Sequence, residues 1–229
     1  MKEIGRKAVS PVSGGALYRS ARLPLSFRKG NVIMNNLIIK RRSVRFFKDT
    51  PIAPENMREI LRAGMWAPSP KNRQPWKFIV AKGAKKAEVL DLMEKGLERS
   101  EKGEGILGGS HDLFVNARFT LQCMRQAPNL VFVVNPKGRS ILDDWTPAEK
   151  IHEMSDVQAI GAAAENMALE ATALGIGSLW IGNVFFAYEE LQQWLGEGEM
   201  VLAMSFGYPN HEPCPLARKS EEAVVEVRE

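Results

Sequence analysis

Apolar residues recur at helical spacing through PIAPENMREILRAGMWAP, where Met57, Ile60, Leu61, Gly64 and Met65 fall on one side. Pro54 suits an early helical position, and Pro68 stops the run. The same spacing predicts a short helix over 35–41 and helices over 84–98, 111–127 and 187–196. Alternation in WKFIVA (76–81) predicts a strand. The unbroken run NLVFVVN (129–135) predicts a buried strand, and SLWIG and MVLAMSFGY predict two more. The longest helix is predicted over 155–175, with Ser155 as its N-cap and Gly175 or Gly177 at its end. Its interior, IGAAAENMALEATAL, is small and apolar nearly all round, which places it in a core or at an interface. Residues 102–110 read as a glycine-rich loop, 136–154 as irregular, and AVVEV near the C-terminus as an edge strand.

Helices and strands intermingle without a strict βαβ rhythm, because two helices precede the first strand. The class is therefore α/β-like or α+β. No G-x-G-x-x-G follows a strand, and no G-x-x-x-x-G-K-[ST] occurs, which argues against a dinucleotide fingerprint or a P-loop.

Composition adds limits. With 229 residues, 45% hydrophobic and 25% charged, the chain can build one soluble core without metal or disulfide staples. Its two cysteines, Cys123 and Cys214, have no metal-ligand spacing and fit a reducing cytoplasm. No apolar run reaches the roughly 18–20 residues of a membrane span. Seven cations against one acid give residues 1–33 a charge of +6, which leaves −2 for the rest of a chain whose total is +4. The basic pI thus belongs to the leader, and the slightly acidic body argues against nucleic acid as a partner. Residues 1–33 mix Pro, Gly and Ser without a period and read as a disordered leader, with Met34 a natural start for the domain 34–229.

Four segments suggest chemistry. IIKRRSVRFF sets Lys40, Arg41, Arg42 and Arg45 among apolar positions, and reads either as a solvated basic turn or as a phosphate clamp. APSPKNRQPW places Ser69, Asn72 and Gln74 on a loop stiffened by prolines. GIGSLWIGN has small residues that admit close backbone approach to a ligand. FGYPNHEPCPLARKS returns cations at Arg218 and Lys219. None of the three histidines sits in a recognised motif, so each reads as a surface or capping residue.

In this order and at these separations, the four segments resemble the flavin-dependent nitroreductases over about residues 36–229. The resemblance implies an α+β sandwich around a mainly antiparallel sheet, built as a homodimer with two FMN sites at its interface. It implies that Arg41, Arg42 and Ser43 hold the FMN phosphate, with Arg218 and Lys219 from the C-terminal segment. Arg45 would reach towards the ribityl and pyrimidine side. Pro68, Ser69, Pro70 and Asn72 would come from the partner chain, and Ile181 and Gly182 would approach flavin N5. The implied activity is NAD(P)H oxidation coupled to reduction of nitroaromatics, quinones or activated alkenes, in a ping-pong cycle with NADPH or NADH as reductant. Reductive dehalogenation, flavin-consuming chemistry and a redox sensor of little turnover are the alternatives. Two departures from the family pattern stand out: Leu216 where a lysine is common, and Pro70 where a second serine is common.

Overall fold

The computed structural model describes residues 37–229. The expectations for residues 1–36, the leader and the start at Met34 among them, lie outside the described residues. A helical turn at 37–40 leads into an extended segment. Then follow α1 (Pro54–Met65), β1 (Lys77–Ala81), α2 (Gly83–Glu101), α3 (His111–Gln126), β2 (Asn129–Asn135), α4 (Pro147–Ala173), β3 (Gly177–Ile181), α5 (Tyr188–Leu195) and β4 (Glu199–Gly207).

The four strands form one sheet in the order β1-β2-β4-β3, and every pairing is antiparallel. β2 is buried along its whole length, as a central strand covered on both faces must be. Its alternation divides two cores. Leu130, Phe132 and Val134 join Val89, Met93, Leu97, Leu121 and Leu191, which come from α2, α3 and α5. Val131 and Val133 join Met57, Ile60, Ile160, Ala164 and Met167, which come from α1 and α4. The result is the expected α+β sandwich, with helices on both faces of an antiparallel sheet.

α1 begins with Pro54 at its first turn, as the fixed φ of proline favours. Gly64 lets α1 approach α4, since an added Cβ would lie 2.9 Å from the Met167 side chain and 3.0 Å from Phe78.

Two expectations are corrected. The long helix starts at Pro147, eight residues before Ser155, because Thr146 and Glu149 form a capping box. Ser155 lies inside the helix and donates to the Ile151 carbonyl. A polar first turn, TPAEK, hides this start from a search for apolar period. The segment AVVEV forms no strand: a 3-10 turn at Glu221–Ala223 gives way to coil, with Val224, Val225 and Val227 exposed. Within the single chain, nothing pairs with its backbone.

Glu199 opens β4 from a buried position. Its carboxylate accepts from Tyr188 Oη at 2.9 and 3.0 Å and, at 3.4 Å, from the Ile141 amide. Burial pushes its pKa up, with Glu153 and Asp143 adding to the rise against those hydrogen bonds. Burial raises Glu153 as well. Between the ordinary glutamate value and the raised one, the folded chain holds a proton that the unfolded chain has lost. This contribution to stability therefore falls as pH rises through that window. Glu199→Gln keeps an acceptor for Tyr188 without the charge. Its Tm relative to wild type is expected to climb from pH 5 to pH 8, read by thermal melts across the range. Parallel pH profiles for the two proteins would show that Glu199 does not titrate in the folded state.

Candidate functional site

The segment after residue 40 is pinned by its apolar members. Val44 and Phe47 are buried in the core. The Val44 amide donates to the Ser178 carbonyl at 2.9 Å, and Ser43 bridges to Ser178 at the edge of β3. Gly177 makes this contact possible, because a Cβ there would lie 2.6 Å from Val44. With Val44 and Phe47 turned inward, the arginines between and before them are left towards solvent.

Arg41, Arg42, Ser43 and Arg45 line one cleft of about 710 Å³, and Arg218 meets them from the C-terminal segment. Five of the predicted residues, distant in sequence, therefore converge. Arg42 is held in place by its own backbone, donating to the carbonyls of Ile39 and Arg41. Arg41 Nε donates to Glu165 Oε1 at 3.0 Å, and Glu165 itself borders the cleft. Glu165 was not visible as a site residue in the sequence, since it reads as one polar position on the small-residue helix. Lys219 follows Arg218 but lies outside this lining, at an exposed position.

Arg45 also borders a second, smaller cavity of about 280 Å³, where Ile181 and Gly182 lie with Thr120, Cys123 and Asn183. Asn183 Nδ2 donates to Thr120 Oγ1 at 2.9 Å, tying the end of β3 to α3. Burial pushes the Cys123 thiol up, although Arg45 nearby acts the other way, so this cysteine stays a neutral thiol. An aromatic row separates the two spaces. Phe46 meets Phe119 edge-on at 6.0 Å and His211 at 5.3 Å. His211 lines the arginine cleft, which corrects its reading as a surface or capping residue. Its place between YPN and ARKS was the signal that could have found it.

Pro68, Ser69, Pro70 and Asn72 border neither space within one chain. They form a tight loop with a 3-10 turn at Pro70–Asn72. Lys71, Asn72 and Gln74 all have left-handed backbone, with φ of 53°, 54° and 50°. Non-glycine residues held there cost of order 1–3 kcal/mol each and persist only when their surroundings fix them. Here the Gln74 amide donates to Ser69 Oγ at 3.0 Å, and Arg73 grips Asp156 of α4 at 2.6 Å. The stiffness expected from the prolines is thus reinforced by a side-chain cap and an ion pair.

Four arginines against one glutamate, on a cleft joined through Arg45 to a polar cavity at the end of β3, define a protein built to hold an anionic organic ligand at the sheet edge. Residues 38–208 match the sequence profile of the Nitroreductase family, and the chain belongs to that family. A protein from Archaeoglobus fulgidus, assigned as an NADH dehydrogenase/NAD(P)H nitroreductase, is 32% identical over 184 residues, covering 77% of this chain and 85% of that one. A Desulfovibrio desulfuricans protein assigned as a nitroreductase, solved in complex with FMN, superposes with a TM-score of 0.62 at 26% identity, covering 85% of this chain and 96% of its own. A BluB-like flavoprotein from Clostridium difficile superposes with a TM-score of 0.67 at 25% identity, covering 86% and 99%.

Proposed function

We propose that this chain is an FMN-dependent NAD(P)H oxidoreductase that works as a homodimer. The observation behind this reading is the convergence of Arg41, Arg42, Arg45 and Arg218 with Ser43 on one cleft, beside the cavity at Ile181 and Gly182, in a member of the nitroreductase family. The donor set suits a phosphate. Planar guanidinium forks pair with its oxygens, and several of them offset the loss of hydration of a dianion. Bound FMN supplies the centre that takes a hydride from NAD(P)H at N5 and gives it up to an acceptor.

The residues of the chain do the rest. Arg41, Arg42, Ser43, Arg218 and, more weakly, Lys219 hold the phosphate. Arg45, which borders both spaces, sits where it can offset negative charge on the pyrimidine side, and a cation there favours hydride acceptance. The backbone at Ile181 and Gly182 faces the reacting edge. Pro68, Ser69, Pro70 and Asn72 complete the site from the second chain, consistent with their lying off both spaces within one chain. The exposed apolar face of α4, with Ile151, Met154 and Val157, is the surface that such a dimer would cover. Acceptors of this reading are nitroaromatics, quinones or activated alkenes. With Cys123 and Cys214 both free, we place the enzyme in the cytoplasm. No helix among the described residues is long and apolar enough to cross a membrane.

A visible spectrum of the purified protein under argon tests the reading. Flavin bands are expected, and NADPH or NADH should bleach them rapidly. A colourless protein that takes up no added FMN would overturn it, and flavin that bleaches slowly would favour the sensor alternative. Double-reciprocal plots at several acceptor concentrations should be parallel, whereas intersecting lines would count against one shared pocket. The likeness to a BluB-like flavoprotein gives the flavin-consuming alternative its support. Loss of flavin stoichiometric with turnover, read by product analysis across an acceptor panel, would select it.

A further inference from the structure

A third cavity, of about 670 Å³, lies between α1 and the start of α2, apart from the arginine cleft. We propose that it is a second anion site, taking a small phosphate monoester with an apolar body. α2 starts there without a side-chain cap: Lys82 is extended at the N-cap and Gly83 turns with φ +55°. The first-turn amides of a 19-residue helix therefore point at the cavity mouth without a side-chain acceptor, and such amides attract anions.

A second, independent feature points to a ligand. Asn129 borders the cavity from β2 and is only 8% exposed, yet its side-chain amide has no hydrogen-bond partner among the described residues. Buried amides are normally satisfied, and an unsatisfied one costs free energy that a bound oxygen would recover. Lys86 stands beside it, with Nζ donating to the Arg125 carbonyl at 2.7 Å. Burial pushes Lys86 down and Arg125 adds to this, while Asp49 acts the other way. An anion in the cavity would restore its charge.

The charges facing the cavity are Arg58, Lys82 and Lys86 against Asp49, a surplus of two positive charges that matches a phosphate dianion. Arg58 shares its charge with Glu55 at 3.0 Å on the solvent side. The remaining wall is apolar, with Ile52, Met57 and Leu61. Inorganic phosphate would leave this wall wet, and an aryl or short alkyl ester would cover it.

Titration calorimetry with phenyl phosphate, on protein with FMN in excess, tests the site. Binding of one phenyl phosphate per chain is expected, with inorganic phosphate at least tenfold weaker. Lys86→Met, Asn129→Leu and the exposed change Lys82→Glu should each weaken phenyl phosphate about tenfold, the loss of one charge-assisted contact or its equivalent. Arg41→Ala should leave it unchanged. No binding heat at millimolar phenyl phosphate, equal affinity for inorganic phosphate, or affinity indifferent to Lys82→Glu would overturn the proposal. Loss of binding in Arg41→Ala would do so too, by moving the ligand to the arginine cleft.

Discussion

Alanine at position 41 is expected to weaken FMN binding by about 10- to 150-fold, the equivalent of the roughly 1.5–3 kcal/mol that a hydrogen bond to a charged group contributes. The upper part of that range is favoured by a neighbour. Glu165 lies 3.0 Å from Arg41 on the cleft wall. Removing the arginine leaves that carboxylate unpaired, facing the phosphate. Two negative groups then share a partly desolvated space, where their repulsion is screened less than in water. Adding Glu165→Gln to Arg41→Ala should therefore recover part of the lost affinity. The double-mutant cycle measures the coupling between the two side chains. Flavin-to-protein absorbance ratios after dialysis, with quenching of flavin fluorescence for Kd, give the numbers. Molecules that retain the cofactor should reduce it at a rate changed far less than occupancy. Full occupancy in dilute Arg41→Ala protein would remove this residue from the phosphate site.

The second large effect is expected at Gly96, far from the cleft in sequence. Gly96 sits in α2 against the 3-10 segment Asn183–Ala187, and an added Cβ would lie 2.3 Å from Ala187 Cβ and 2.4 Å from its Cα. That neighbour is backbone, which cannot turn aside as a long side chain can. Overpacking of this kind typically costs about 1–3 kcal/mol. Gly96→Ala should approach the upper end, lowering Tm by about 6–12 °C at about 2–4 °C per kcal/mol for a chain of this size. The strain has a functional reach, because Asn183 directly follows Ile181 and Gly182. Flavin affinity in Gly96→Ala is therefore expected to fall together with Tm. Gly108→Ala is the control, since a Cβ there meets nothing within 4 Å, and its Tm should stay close to wild type. Equal melting of the two variants would mean that α2 shifts freely against the 3-10 segment.

The chemistry of the sequence was most legible where a residue type has few other uses. Arg41, Arg42 and Arg45 in RRSVRFF stood out because three arginines so close together rarely serve packing, and the structure does place them on one cleft. Glu165 and Thr120 did not stand out. Each is a single polar position on a helix, and only the folding of α3 and α4 against the sheet decides which cavity it faces. The start of α4 at Thr146 was missed because capping acts through two side chains three residues apart, Thr146 and Glu149, while an apolar period shows only the buried part of a helix. The strand expected at AVVEV failed for a different reason. β propensity requires a partner edge, and one chain offers that segment none.

By itself the sequence determined the elements and the kind of chemistry. Periodicity of 3.6 and 2 is set by local backbone geometry, so the helices and strands could be read directly from the apolar positions. The order of the four motifs identified the family for the same reason: motif residues stand in for local shapes and charges. Only the tertiary structure decided which residues share a space. The convergence of Arg218 with Arg41 across 177 positions, and the pairing of Arg41 with Glu165, are products of chain reversal and packing. So are the separation of the arginine cleft from the cavity at Ile181 and the unpaired amide of Asn129 at the end of α2. Contacts between residues distant in sequence depend on how two faces of one sheet are covered, and no local pattern encodes that.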